Sequence, residues 1–409
     1  MSDNQAAIDP LEVVFNAQVH NAQEVDRITA LIQQGEAHEL RVLKSTPASI
    51  ANEDFDSIQQ DFEPLNTKLG INEIFAFPSF ESLNNSALQE YSHSLAVESI
   101  SARLKTIMQA LRRMGIRILN WIKNIIERVN TVIEGTYGRA KKAKQLLTAN
   151  ARSIHVREVT VDWVLDLYTN GTRAVENEEL VNLPGQLERL LAVSLEDSAR
   201  TVDGFKQLFM NPTATRDSVM KSIVSNQDMK LLASKVDNGE MSITYSFPFG
   251  LKGTRLQIRR PLIDQQDFDP QAYSARIVKQ KATKRPGRVK TLEASAAINI
   301  CTNIMDVIDS IKASRKRFAD IENGVKAIIK ASETPPKDEA VEMVERRRDL
   351  MAISKLLMGE LGTVYKFIYV TTRDLMDFID LLLANPRKLA AAGERRKDAK
   401  KDAKETKKI

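Results

Sequence analysis

A chain of 409 residues, 43% of them hydrophobic, is long enough for two or three domains with real cores, and its single cysteine, Cys301, rules out an internal disulfide. Only 6% of residues are aromatic, and the 16 Gly and 13 Pro stand beside abundant Leu, Ile, Ala, Lys, Arg and Glu, a balance that favours helix over sheet. The formal net charge of +5 conceals a division: residues 1–98 hold sixteen acidic and four basic side chains, a net of −12, whereas Ser99 to Ile409 hold 55 basic and 38 acidic ones, a net of +17.

Asymmetry of that kind concerns partners rather than fold. The N-terminal stretch MSDNQAAIDPLEVV lacks the basic start and apolar run of a secretory signal, and no run of about 18 apolar residues occurs. The nearest candidate, Phe367 to Ala384, is interrupted by Arg373, Asp374, Asp377 and Asp380, so it reads as an amphipathic helix and not a membrane span. Cys301 sits in the apolar-periodic ICTNIMDVI, where a small buried hydrophobe is expected, and a lone thiol suits a reducing compartment.

Residues 1–98 alternate short apolar clusters (LEVVF, ITALI, LRVL) with acidic and amide-rich stretches and end in the Ser/Asn-rich FPSFESLNNSALQEYSHS, which reads as a linker. From Leu104 the pattern changes. Leu104, Ile107, Met108, Leu111, Met114, Ile118, Ile122, Ile125, Ile126, Val129, Val132 and Ile133 recur at three- and four-residue spacing, the mark of one long amphipathic helix. Between Ser99 and Lys144 its polar side carries eleven Lys and Arg against Glu127 and Glu134 alone, whereas solvated helices usually mix the two signs.

Further helices are expected at about 157–182, 185–211 and 215–235. Met241–Phe247 and Thr254–Pro261 then flank the turn-rich PFGLKG and predict a β-hairpin. Arg276 to Lys290 carries seven basic residues and no acidic one, with Pro286 and Gly287 breaking any helix, and reads as a flexible basic loop. Helices resume at about 291–332, 337–360 and 361–384, divided at SETPPKDEAV, and the charged end ERRKDAKKDAKETKKI is expected to be a disordered basic tail. The expected architecture is mainly α: an elongated helical bundle with one long amphipathic helix and a small β-hairpin insertion. Its divisions are an acidic segment 1–98, a helical domain 99–235, the hairpin and basic loop 236–290, a C-terminal helical domain 291–385 and a tail 386–409.

Catalytic equipment is sparse. Three of the four histidines, His20, His38 and His93, fall in the acidic segment, and His155 stands alone in the basic part. No P-loop, GxGxxG, HExxH, CxxC or EF-hand loop occurs, so no catalytic, cofactor-binding or metal residue is assigned and no enzymatic activity is expected. What the residues support is contact with a polyanion. Each Lys or Arg that neutralises a phosphate makes affinity fall with salt, at a slope of about −0.9 per phosphate on B-DNA. The candidates are Arg112, Arg113, Arg117, Lys141 and Lys142 on the helix, and Lys279, Lys281, Lys284, Arg285, Arg288 and Lys290 in the loop. No helix-turn-helix, zinc-finger or RNP pattern accompanies them, so contact would be independent of base sequence. Two other readings of the long helix stand beside this one. Its apolar stripe could serve assembly of a helical scaffold without DNA, and Trp121 with the basic face could lie on an anionic membrane.

The junction SHSLAVES, the stretch SARLKTIMQALRRMGIRILNWIKNIIERVNTVIEGTYGRAKKAKQLLTAN, FPSFESL and LPGQLERLLAVSLEDSARTVDGFKQLF together resemble the internal head proteins of phiKZ-like giant phages, most clearly over about residues 65–210. The resemblance implies a non-enzymatic virion protein inside the capsid head, made in the host cytoplasm. It also implies that the acidic leader is a propeptide which a prohead protease removes after a small residue, any residue and Glu. Ala96, Val97 and Glu98 fit that pattern, with Ser99 as the new N-terminus. About ten other tripeptides match, Ala392-Gly393-Glu394 among them; Glu98 is preferred because it coincides with the charge change, the linker and the start of the long helix. The implied partners are genomic DNA, the prohead protease and other inner-head proteins; ejection with the genome is compatible with this reading.

Overall fold

The computed structural model describes chiefly residues 133–150, 177–211, 227–261, 273–279 and 292–383, with short gaps, and scattered positions at 23–30, 105–123, 158–174 and 289–290. The described chain is mostly helical, with one four-stranded antiparallel sheet, so the mainly α architecture holds. The described positions between 105 and 123 are all helical, and α1 spans 133–149. Buried Met108, Leu111, Gly115 and Leu119, then Ile133, Thr136, Ala140, Ala143 and Leu147, repeat at three- and four-residue spacing, which is the apolar stripe expected of the long helix.

Of the helix expected over 157–182, the part from Asn177 is helical, but the described positions before it are strands. Glu158–Val159 (β1), Thr169–Asn170 (β2) and Arg173–Ala174 (β3) are short strands. Asn170 pairs with Arg173, so only Gly171 and Thr172 separate the strands. Gly at the first position of a two-residue loop suits a hairpin turn, and that local preference outweighs the weak helical periodicity around it. The next helix, α2, runs unbroken from Asn177 to Met210, about 51 Å. It passes through Pro184, whose missing N–H removes one helical bond. Buried Leu180, Leu183, Leu187, Leu190 and Leu191 flank that position and hold the helix by packing. Within 215–235 the structure describes only a short helix, Gln227–Leu232 (α3), and the start of the sheet.

The sheet takes the strands in order β4 (Lys235–Asn238), β5 (Ser242–Ser246), β6 (Thr254–Pro261) and β7 (Ser274–Lys279). The expected hairpin is its centre, with Tyr245 opposite Ile258. The outer strand β7 corrects the reading of a flexible loop from Arg276: Ala275 and Ile277 stand opposite Ile258 and Leu256, and that alternation extends the sheet into the start of the basic run. Val289–Lys290 (β8) pairs back with β1, so the far end of the run is a strand too.

Helices α4 (Ala294–Ala313) and α5 (Arg315–Ala331) meet at Ser314. Ser314 keeps helical dihedrals, and its hydroxyl donates to the Ile311 carbonyl at 2.6 Å. Helix α6 (Glu339–Ser354), a π-helical segment (Lys355–Leu361) and α7 (Gly362–Leu383) form one run where two separate helices were expected. Most of it between Leu350 and Leu382 is buried, so this run and α2 are the centre of the core.

The packing register can be read from three contacts. The Asn303 amide donates to the Val181 carbonyl at 3.1 Å, the Ser310 hydroxyl donates to Glu188 at 2.5 Å, and Gly324 lies against Val202. Each pair is 122 residues apart, so α2 runs parallel to α4 and α5 across the Ser314 junction. At Gly324 an added Cβ would sit 2.5 Å from Val202 Cγ1, so the approach of the two helices requires glycine. On the other side the N-terminal helix runs antiparallel: Arg112 meets Ser332, Gly115 meets Ile329 and Lys123 meets Glu322. The result is an elongated layer of long helices, with the sheet docked on the π segment and α7.

Candidate nucleic-acid interface

The stripe of α1 that faces the core leaves Lys141 and Lys142 exposed, and Arg113 and Arg117, one turn apart, are exposed on the preceding helical positions. Arg112 differs from these: it is half-buried, and its Nε donates to Ser332 Oγ at 3.0 Å, binding the N-terminal helix to the end of α5. Other cations of the same face serve the fold. Arg139 forks onto Asp377 at 2.7 Å and Asp380 at 2.5 Å on α7. Burial opposes its charge, but the two aspartates outweigh that and hold its pKa above the ordinary arginine value. Lys312 stands over the Tyr137 ring, and Lys123 shares Glu322 with Lys326, whose hydrogen bond holds that carboxyl below its usual range. The basic face is therefore divided between internal ties and exposed cations.

Of the loop candidates, Lys279 closes β7 opposite Thr254, and Lys290 lies in β8 opposite Glu158. Lys281, Lys284, Arg285 and Arg288 lie outside the described residues, as do Ala96, Val97, Glu98 and Ser99 at the expected cleavage point. Sequence reasoning passed over the exposed run Arg315, Lys316 and Arg317 opening α5, and it left Arg255 and Arg259 on β6 out of its candidates. The signal for the latter pair was present in the alternation of TRLQIRRP. A groove of about 470 Å³ between α2 and α5 is lined by Glu196, Asp203 and Asp320 together with Arg200, Lys206 and Arg317, a mixture with no preference for ligands of one sign.

A buried charge cluster ties the sheet to the helices. On β6 the pleat sends Arg259 outward and Arg260 inward. The Arg260 guanidinium donates to Asp197 of α2 and, at 2.5 Å, to Glu360 of the π segment, and it stacks over Tyr273 at 5.5 Å. The three ionic side chains are 7%, 2% and 1% exposed. Burial pushes the Glu360 carboxyl up to about 7; Arg260 opposes that shift and Asp197 adds to it. With no open side for a substrate, the cluster works as an internal staple. The thiol of Cys301 is pushed up to about 12 by burial, in keeping with a packing role. Among the described residues no group of three metal-ligating side chains occurs, and no helix is long and apolar enough to cross a membrane.

A family model for phiKZ-like phage internal head proteins matches residues 4–381. Comparison with curated proteins and with solved structures found no match.

Proposed function

The chain belongs to the phiKZ-like phage internal head protein family and so has a structural role inside the phage head, and from that premise we propose that its acidic leader is removed after Glu98 and that the released body contacts packaged DNA. The observation that carries the reading is the charge partition. The leader holds a net of −12 and the remainder a net of +17, so a single cut changes the protein from weakly to strongly basic. Among the described residues the buried hydrophobic core is drawn from 108–382, beyond the cut. One contact between the two parts is described: Asp26 of the leader lies 3.1 Å from the Lys355 amine, whose side chain is only 8% exposed. An acidic leader paired with the body lowers its affinity for nucleic acid before packaging, and its release frees the cations.

The test is binding of mixed-sequence duplex DNA by the full chain and by residues 99–409 across a salt series. The reading expects tighter binding by the shorter form, with a steep linear dependence of log affinity on log salt. Equal, salt-insensitive binding by both forms refutes it. A second reading is a helical scaffold of the prohead with no DNA contact; it is favoured by the engagement of Arg112, Lys123 and Arg139 in ties within the fold. Absence of DNA binding by either form would select it.

A further inference from the structure

We propose that the outward face of the four-stranded sheet is a phosphate-backbone contact surface built on Arg255, Arg259 and Arg276. The proposal deepens the DNA-contact reading above and rests on it. Strand alternation fixes the face. Leu256, Ile258 and Arg260 of β6 point into the core, so Arg255, Gln257 and Arg259 point out. On β7, Arg276 stands directly opposite Gln257, midway between the two arginines of β6. Four strand residues at about 3.4 Å each put Arg255 and Arg259 about 14 Å apart, with Arg276 one strand across, about 4.8 Å away in the sheet plane.

The face is pre-organised by neutral partners. The Arg276 Nε donates to Gln257 Oε1 at 3.0 Å, the Gln257 amide donates to Ser246 Oγ at 3.2 Å, and the Arg259 Nε donates to Ser242 Oγ at 2.6 Å. These bonds orient two guanidinium groups without neutralising them. Among the described residues no carboxylate lies within ion-pair distance of Arg255, Arg259 or Arg276, and the Arg255 Nε is shielded from solvent with no hydrogen-bond partner. The contrast with Arg260 on the same strand, which takes two carboxylates, is sharp. Asp237, on the edge strand β4, is held by Lys235 at 2.9 Å. Fixed, un-neutralised guanidinium forks beside Ser and Thr hydroxyls match the planar oxygen pairs of a phosphodiester. The absence of aromatic side chains from the described outward positions of these strands points to backbone contact rather than base stacking.

The experiment compares the full chain with its Arg255→Gln/Arg259→Gln/Arg276→Gln variant in binding mixed-sequence duplex DNA between about 50 and 200 mM salt. The expected result is a plot of log affinity against log salt shallower by about three in the variant, one for each lost phosphate contact, with an unchanged melting temperature. If the triple variant does not fold, each single Arg→Gln change is expected to flatten the slope by about one. Wild-type binding with a slope that these variants leave untouched overturns the sheet face and leaves the DNA reading standing. Absence of salt-dependent binding by the wild type overturns both.

Discussion

Replacing Arg260 with leucine removes the cation that lies between Asp197 and Glu360, two carboxylates that are 2% and 1% exposed. Breaking a buried ion pair from one side costs about 3–5 kcal/mol, because the remaining charge keeps its desolvation penalty and loses its partner. At about 2–4 °C per kcal/mol for a large domain, the melting temperature should fall by on the order of 10 °C. The effect should depend on pH in a definite direction. Glu360 titrates in the folded protein near 7, above the ordinary carboxylate value of about 4.3, so the folded state holds its proton more tightly. Stability from this group is therefore highest at about pH 4, declines as pH rises to about 7 and is level above it. In Arg260→Leu the Glu360 carboxyl stays protonated at pH 5 without cost, whereas at pH 8 it must either hold that proton against the solution or ionise in a buried site with no cation beside it. Urea unfolding of the full chain at both pH values should give the larger loss at pH 8, and Arg260→Leu/Asp197→Asn/Glu360→Gln should recover most of it. A loss below about 1 kcal/mol at pH 8, or one equal at the two pH values, would refute the role given to the cluster.

Two further outcomes follow from packing. Gly324→Ala places a methyl 2.5 Å from Val202 Cγ1 and should cost about 1–3 kcal/mol in chemical denaturation, with the loss reduced when Val202→Ala is added. Cys301 is fully buried with its thiol pKa pushed up to about 12, so alkylation at pH 8, followed by mass spectrometry, should be negligible in the native protein and complete in denaturant.

Much of the helical architecture was legible because it is written in local periodicity: the buried stripe from Met108 to Leu147 and the hairpin around Tyr245 and Ile258 both follow side-chain alternation alone. What escaped was whatever depends on distant partners. In RRP, nothing local distinguishes Arg259 from Arg260; the pleat exposes one and buries the other, and the acids that receive the buried one lie 63 and 100 residues away. Strand β7 was hidden because Arg276 and Lys279 made its sequence look like a solvated basic run, while Ile277 and Ala275 were taking their place beneath the sheet. The unbroken run from Glu339 through the π segment to Leu383 was likewise invisible, since no local signal marks seven π-helical residues whose burial is set by the surrounding core. The candidate interface was legible as composition and only in part as geometry: Lys141, Lys142, Arg113 and Arg117 are exposed, whereas Arg112 is tied to Ser332.

The central claim is that an acidic leader is discarded at Glu98 and a basic body stays in the head. Intact mass and N-terminal sequencing of this protein from mature particles test it most directly. The account predicts a polypeptide that begins at Ser99. A polypeptide that begins at Met1 or Ser2 would contradict it.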